Sequence, residues 1–177
     1  QVCEEFWRRS SLNPDFADIL DTAFGSPQRM TRQLTDLLSA AALMPEQPAL
    51  LKPDFASAFA ALKDAYRQDG AGALPVLLAA FDDGTLNRQS HKREAIEKSF
   101  ADLARFIADH GRSALPDTGG LCADSLKVKK GKSAPRHPFL DALVPWNRFA
   151  EALAGYRDDC RIFLCHALCD YARMRLS

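Results

Sequence analysis

The chain has 177 residues, 47% hydrophobic and 26% charged, with 23 basic and 23 acidic side chains and a formal net charge of +0. That length and balance suit one globular domain with its own core and exclude a chain disordered throughout. They also exclude binding to nucleic acid through net charge alone, so any such contact must come from a local cluster.

The opening residues, Val2 to Arg9, read as the middle or end of a helix, as in a domain cut from a longer chain. Asn13-Pro14-Asp15 sets a cap before a helix-starting proline, and Phe16, Ile19, Leu20 and Ala23 follow at helical spacing until Gly25. Ser26-Pro27 repeats the device ahead of a stripe of Met30, Leu34, Leu37, Leu38 and Ala41, with Pro45 and Pro48 as stops. Lys52-Pro53-Asp54 opens a third helix with Phe55, Phe59, Leu62 and Tyr66 on one face, broken at Gly70-Ala71-Gly72. A shorter helix is predicted over Ala73 to Phe81, then a turn at Asp82-Asp83-Gly84.

A longer helix is predicted from Ser90 to Asp109, with Ile96, Phe100, Leu103 and Ile107 inward and Gly111 closing it. Residues 112–138 have no sustained period and form an irregular Lys-rich loop. Phe139 to Pro145 reads as a short helix. The last helix is predicted from Trp146 or Asn147 to Arg175, burying Phe149, Leu153, Tyr156, Cys160, Phe163, Ala167 and Tyr171. No extended period-two alternation or internal repeat is present, so the predicted fold is all-α, an irregular multi-helix bundle forming one domain over 1–177.

Several chemistries lack their motifs. There is no phosphate loop, nucleophile elbow, His-Glu-x-x-His or Cys-x-x-Cys. No catalytic residue, metal ligand or cofactor of the chain itself is therefore assigned. Cys160, Cys165, His166 and Cys169 cluster in sequence, but Cys160 lies about 140° around the helix from Cys165. They read as small buried thiols in a helix contact. The adjacent carboxylates Glu4-Glu5, Asp82-Asp83 and Asp158-Asp159 read as solvated charge, and His91, His110, His137 and His166 are scattered. An odd count of five cysteines excludes complete intrachain pairing and suits a reducing cytoplasm. No apolar run is long enough to cross a membrane, and no signal peptide opens the sequence.

The most distinctive stretch is Ser125 to Pro138, where Lys127, Lys129, Lys130, Lys132 and Arg136 occur without one acidic residue. Lysines on a pliable loop suit phosphate contacts, since a point charge on a long stem needs little fixed geometry. A second basic cluster, Arg88, Lys92 and Arg93 with His91, falls at a helix start, where the dipole disfavours positive charge. Neither cluster interleaves aromatics, which favours a duplex backbone over stacked single-strand bases. The plainer reading of both is a surface kept soluble by lysine.

Three segments carry a family resemblance. Phe6-Trp7-Arg8-Arg9, Leu86-Asn87-Arg88-Gln89-Ser90 and Pro135-Arg136-His137-Pro138-Phe139-Leu140-Asp141-Ala142-Leu143 resemble, in order and approximate spacing, segments of the RecB subunit family of exodeoxyribonuclease V. There they lie in the insertion called subdomain 1B. The likeness runs from Val2 to Arg175 and is weakest from Ala42 to Asp83.

The resemblance implies an insertion subdomain of a superfamily 1 helicase, with the ATP- and magnesium-dependent motor and the nuclease elsewhere in the parent chain. It implies RecC-like and RecD-like partner subunits, and an arm that touches duplex DNA ahead of the fork. The lysines match no quoted family motif, so their DNA role is an inference from charge. Two alternatives stand beside this reading. One is a docking module for the motor or a partner subunit, marked by an exposed apolar patch; the other is an unrelated small helical enzyme, marked by a deep pocket with His166 or His137 beside a carboxylate.

Overall fold

The computed structural model describes residues 2–38 and 46–176, with side chains at 34–38 and 175–176 outside that description. Among the described residues the regular elements are helices: α1 (Val2–Ser10), α2 (Pro14–Ala23), α3 (Pro27–Leu38), α4 (Phe55–Asp82), α5 (Arg93–Ala108) and α6 (Pro138–Leu176). The only extended pairing among them is an isolated antiparallel bridge, Leu86 to Val128. The all-α expectation stands. No described helix is long and apolar enough to cross a membrane.

The packing resolves two compact units. One comprises 1–53 and 152–177; the other comprises 54–151. Helix α6 contributes to both, Pro138–Glu151 to the second and Ala152–Leu176 to the first.

The first unit is assembled from both ends of the chain. Asn13 caps α2 by accepting from the Asp15 N–H at 3.0 Å, and Gly25 follows the helix at φ 68°. Phe6, Leu20, Ala23, Phe24 and Met30 pack with Tyr156, Cys160, Leu164, Cys165 and Leu168 into one core. Each fully buried large side chain contributes about 1.5–3 kcal/mol. The buried stripe of α6 is rotated from its predicted setting. Leu164 is fully buried where Phe163 was expected, while Phe163, Ala167 and Tyr171 are partly buried at the edge. Phe163 turns instead towards Phe16, with ring centroids 5.7 Å apart. Leu34, Leu37, Leu38 and Ala41, expected on the α3 stripe, lie outside the described side chains, as does Pro45.

The second unit packs α4, α5 and the start of α6. Asp54 caps α4, accepting from the Ser57 N–H at 3.1 Å. The break expected at Gly70-Ala71-Gly72 falls one residue earlier. Asp69 leaves helical geometry (φ −160°, ψ 32°), so α4 is two helices joined at a kink. Its second half contains the predicted shorter helix, with Pro75 near its start. Helix α5 begins three residues later than expected, because Asn87 to Ser90 form a turn in which the Ser90 and His91 N–H groups donate to the Asn87 carbonyl. Its stripe of Ile96, Phe100, Leu103 and Ile107 is buried as expected, with Phe106 added.

Pro145 was expected to separate two helices but lies inside α6. A proline there forfeits one backbone bond. Leu140, Leu143, Trp146 and Phe149 nevertheless form one buried face across it, and that shared burial holds the helix continuous.

Candidate nucleic-acid interface

Both basic clusters lie in the second unit, and the backbone brings them together. The end of α4 sets the one at Arg88, Lys92 and Arg93. Gly84 turns the chain at φ 72°, and the Leu86 N–H returns to the Ala80 carbonyl at 2.9 Å. Asp83 accepts from the Thr85 N–H at 2.7 Å. The Thr85 hydroxyl and N–H hold its carboxyl below the usual range, with Lys132 adding to the effect.

Residues 126–129 then lie alongside 85–87. The Asn87 N–H donates to the Lys127 carbonyl and the Lys129 N–H to the Thr85 carbonyl, each at 2.9 Å, flanking the Leu86–Val128 bridge. A third tether comes from a side chain: the Lys127 N–H donates to His91 Nε2 at 3.0 Å. A turn at Lys129–Lys132 closes the excursion, with Gly131 at φ 83°. Further back, Thr118 is buried and its hydroxyl donates to Asn147 Oδ1 at 2.6 Å.

The 112–138 segment is therefore irregular in outline but fastened along its length, and α6 takes over at Pro138. The pairing had one sequence signal. In Leu126-Lys127-Val128-Lys129, apolar and basic residues alternate over four positions, with Leu126 buried and both lysines exposed.

The eight basic residues divide by what their side chains touch. Arg88 donates to the Phe81 carbonyl (3.3 and 3.2 Å) and the Asp82 carbonyl (2.9 Å), with its guanidinium 5.3 Å from the Phe81 ring centre. It closes the C-terminus of α4. Arg93 grips Asp82 with Nη1 at 2.6 and 2.8 Å and reaches Glu97 at 3.1 Å, which raises its pKa. Lys92 donates to the Arg88 carbonyl at 3.2 Å.

Lys127, Lys129 and Lys130 are exposed, and their ammonium groups make no ion pair or hydrogen bond among the described residues. Lys132 is exposed near Asp83. Arg136 is exposed beside a shallow hollow of about 400 Å³ shared with Ser133 and Asp141.

The sequence marks His137 as one of two histidines that would stand beside a carboxylate in an enzyme pocket. His137, within the Pro-Arg-His-Pro segment, is 8% exposed; its Nδ1 accepts from the Phe139 N–H at 3.2 Å and its Nε2 faces Asp69 at 3.1 Å. It joins the start of α6 to the kink of α4. The cysteines Cys160 and Cys165 sit in the first unit's core, where burial raises both thiols, Cys165 to about 11. No protein-family model matches the chain, and no curated protein matches its sequence.

Proposed function

We propose that the chain is a 1B-like accessory subdomain of a RecB-type DNA helicase–nuclease, and that it holds duplex DNA by its phosphates ahead of the fork. The observation that carries this reading is the row of Lys127, Lys129 and Lys130, exposed and unpaired on a backbone fastened to the second basic segment. A row of unneutralised ammonium groups attracts phosphate without distinguishing bases, as a processive motor requires. The resemblance through Phe6 to Arg9, Leu86 to Ser90 and Pro135 to Leu143 supplies the helicase context. ATP, magnesium and the RecC-like and RecD-like subunits belong to the parent assembly in this reading, and the fragment carries neither reaction.

The test is fluorescence anisotropy of a labelled blunt duplex across several salt concentrations. It compares the native chain with one carrying Lys127, Lys129, Lys130 and Lys132 changed to Ala. The expected result is weakened binding and a flatter salt dependence, by about 0.9 log unit of slope per lost phosphate contact. An unchanged slope would sink the assignment.

A docking role is the second reading. It would draw on exposed apolar side chains of the first unit such as Leu12, Leu51 and Met174, which are 84%, 82% and 70% exposed. No duplex binding by a folded native chain would favour it.

A further inference from the structure

Arg93 stands at the start of α5, and its guanidinium is already engaged. Nη1 donates to both carboxylate oxygens of Asp82, at 2.6 and 2.8 Å, and Nε donates to Glu97 at 3.1 Å. A guanidinium presents its N–H donors in a planar fork that fits phosphate as well as carboxylate. Here one carboxylate from the end of α4 and another from the next turn of α5 take the places that phosphate oxygens could take.

The pair lies among the other basic residues. Two positions before Arg93, His91 accepts the Lys127 N–H. Two positions after Asp82, Gly84 lies under the Lys129 ammonium, and a Cβ there would come within 3.3 Å of Nζ. The Thr85 carbonyl, next in the chain, takes the Lys129 N–H. Segment 127–129 is thus fastened to both sides of the Asp82–Arg93 pair. The pair is also open to solvent: the side chains of Arg93, Asp82 and Glu97 are 40%, 58% and 46% exposed. Ion pairs this exposed are weak, so a phosphate can exchange with either carboxylate.

We propose that Asp82 and Glu97 are a brake on the basic face: they occupy the Arg93 guanidinium and keep it from joining the lysines as a phosphate contact. The brake rests on the DNA reading for its ligand and adds a regulation of that site. The lysines, which no carboxylate grips, meet the phosphate backbone first. Arg93 is recruited only where a phosphate displaces its carboxylates. When the backbone moves on, Arg93 returns to Asp82, so the release leaves no bare charge behind.

The experiment measures binding of the full chain to a labelled blunt duplex by anisotropy at several salt concentrations, and to linear inorganic polyphosphate by calorimetry. It compares the native chain with Asp82→Asn/Glu97→Gln, and repeats the comparison in an Arg93→Gln background. Circular dichroism checks that each form is folded. Asp82→Asn alone, which leaves the residue-82 carbonyl to Arg88, is a milder second form. Freeing Arg93 should tighten binding by up to about fivefold at low salt, the strength of an exposed ion pair. It should also steepen the salt slope by about 0.9 log unit. Both changes should vanish in the Arg93→Gln background. An equal gain in that background would mean that the carboxylates act by plain repulsion, which overturns the brake. Duplex binding by the native chain with no gain in the variants overturns the brake and leaves the DNA reading. A gain with polyphosphate and no duplex binding by any form keeps the brake and removes the DNA reading. Binding of neither polyanion by any folded form removes both.

Discussion

Gly70 is buried in α4 because the Tyr66 ring fills the space a side chain would need: a Cβ there would overlap Cγ, Cδ2 and Cε2 of that ring. Gly70→Ala should displace the ring from its edge contact with Phe139, centroid distance 5.6 Å, and lower stability by about 1–3 kcal/mol in urea unfolding, with helix content retained. Arg88 poses the opposite question, an exposed charge with a structural task. Removing it as Arg88→Ala uncovers the Phe81 and Asp82 carbonyls and should cost about 0.5–1.5 kcal/mol in the same assay. If the Arg88 side chain is spent on α4, the salt slope of duplex binding should not change. The sequence showed both residues but not their partners. Arg88 stood out as one of a basic trio, yet the carbonyls it covers lie back across a turn, and Asp82, the partner of Arg93, lies eleven positions away. Charge is legible in a sequence; neutralisation is a matter of folding.

At the scale of elements, caps and short stripes were readable because they are local. Asn13-Pro14 and the Ile96 to Ile107 stripe mark α2 and α5 through neighbours one turn apart. Helix α6 runs across Pro145 because distant residues bury the faces on either side, and no local rule contains that information, whereas the kink of α4 at Asp69 lies one residue from its glycine signal.

The tether between the lysine segment and the turn before α5 gives a prediction in pH. Burial, with the Lys127 ammonium second, lowers the pKa of His91 from its ordinary 6.5. The folded state thus binds fewer protons than the unfolded one near and below that value. The contribution is complete above pH 6.5 and is lost as pH falls through the folded value, where a protonated ring can no longer accept from the Lys127 N–H. Urea midpoints of the native chain should decline over that window, and the decline should be shallower in His91→Phe. Parallel curves would show that the tether does not titrate.

For the molecule as a whole, the division into units was hidden because one unit is discontinuous, its core drawn from α1 to α3 and the far end of α6. Composition reports only the sum, and a sum of zero charge concealed the exposed lysine row. The second unit is continuous in sequence, and Leu62, Leu77, Leu86, Phe106, Phe139 and Trp146 of its core all fall within 54–151. That segment expressed alone should fold. The check is near-ultraviolet circular dichroism of Trp146, 2% exposed and the unit's sole tryptophan, together with a cooperative thermal transition. A flat near-ultraviolet spectrum would mean that this core needs the rest of the chain.

The three tethers of the lysine segment all use main-chain atoms of 127 and 129, never their ammonium groups. Shape and charge are thus written in separate alphabets at these positions. Over evolutionary time such a segment can gain or shed lysines while its path stays constant. A protein engineer could likewise install glutamates, spectroscopic labels or a cross-linker at 127, 129 and 130 and change how the surface meets its ligand without redrawing the surface.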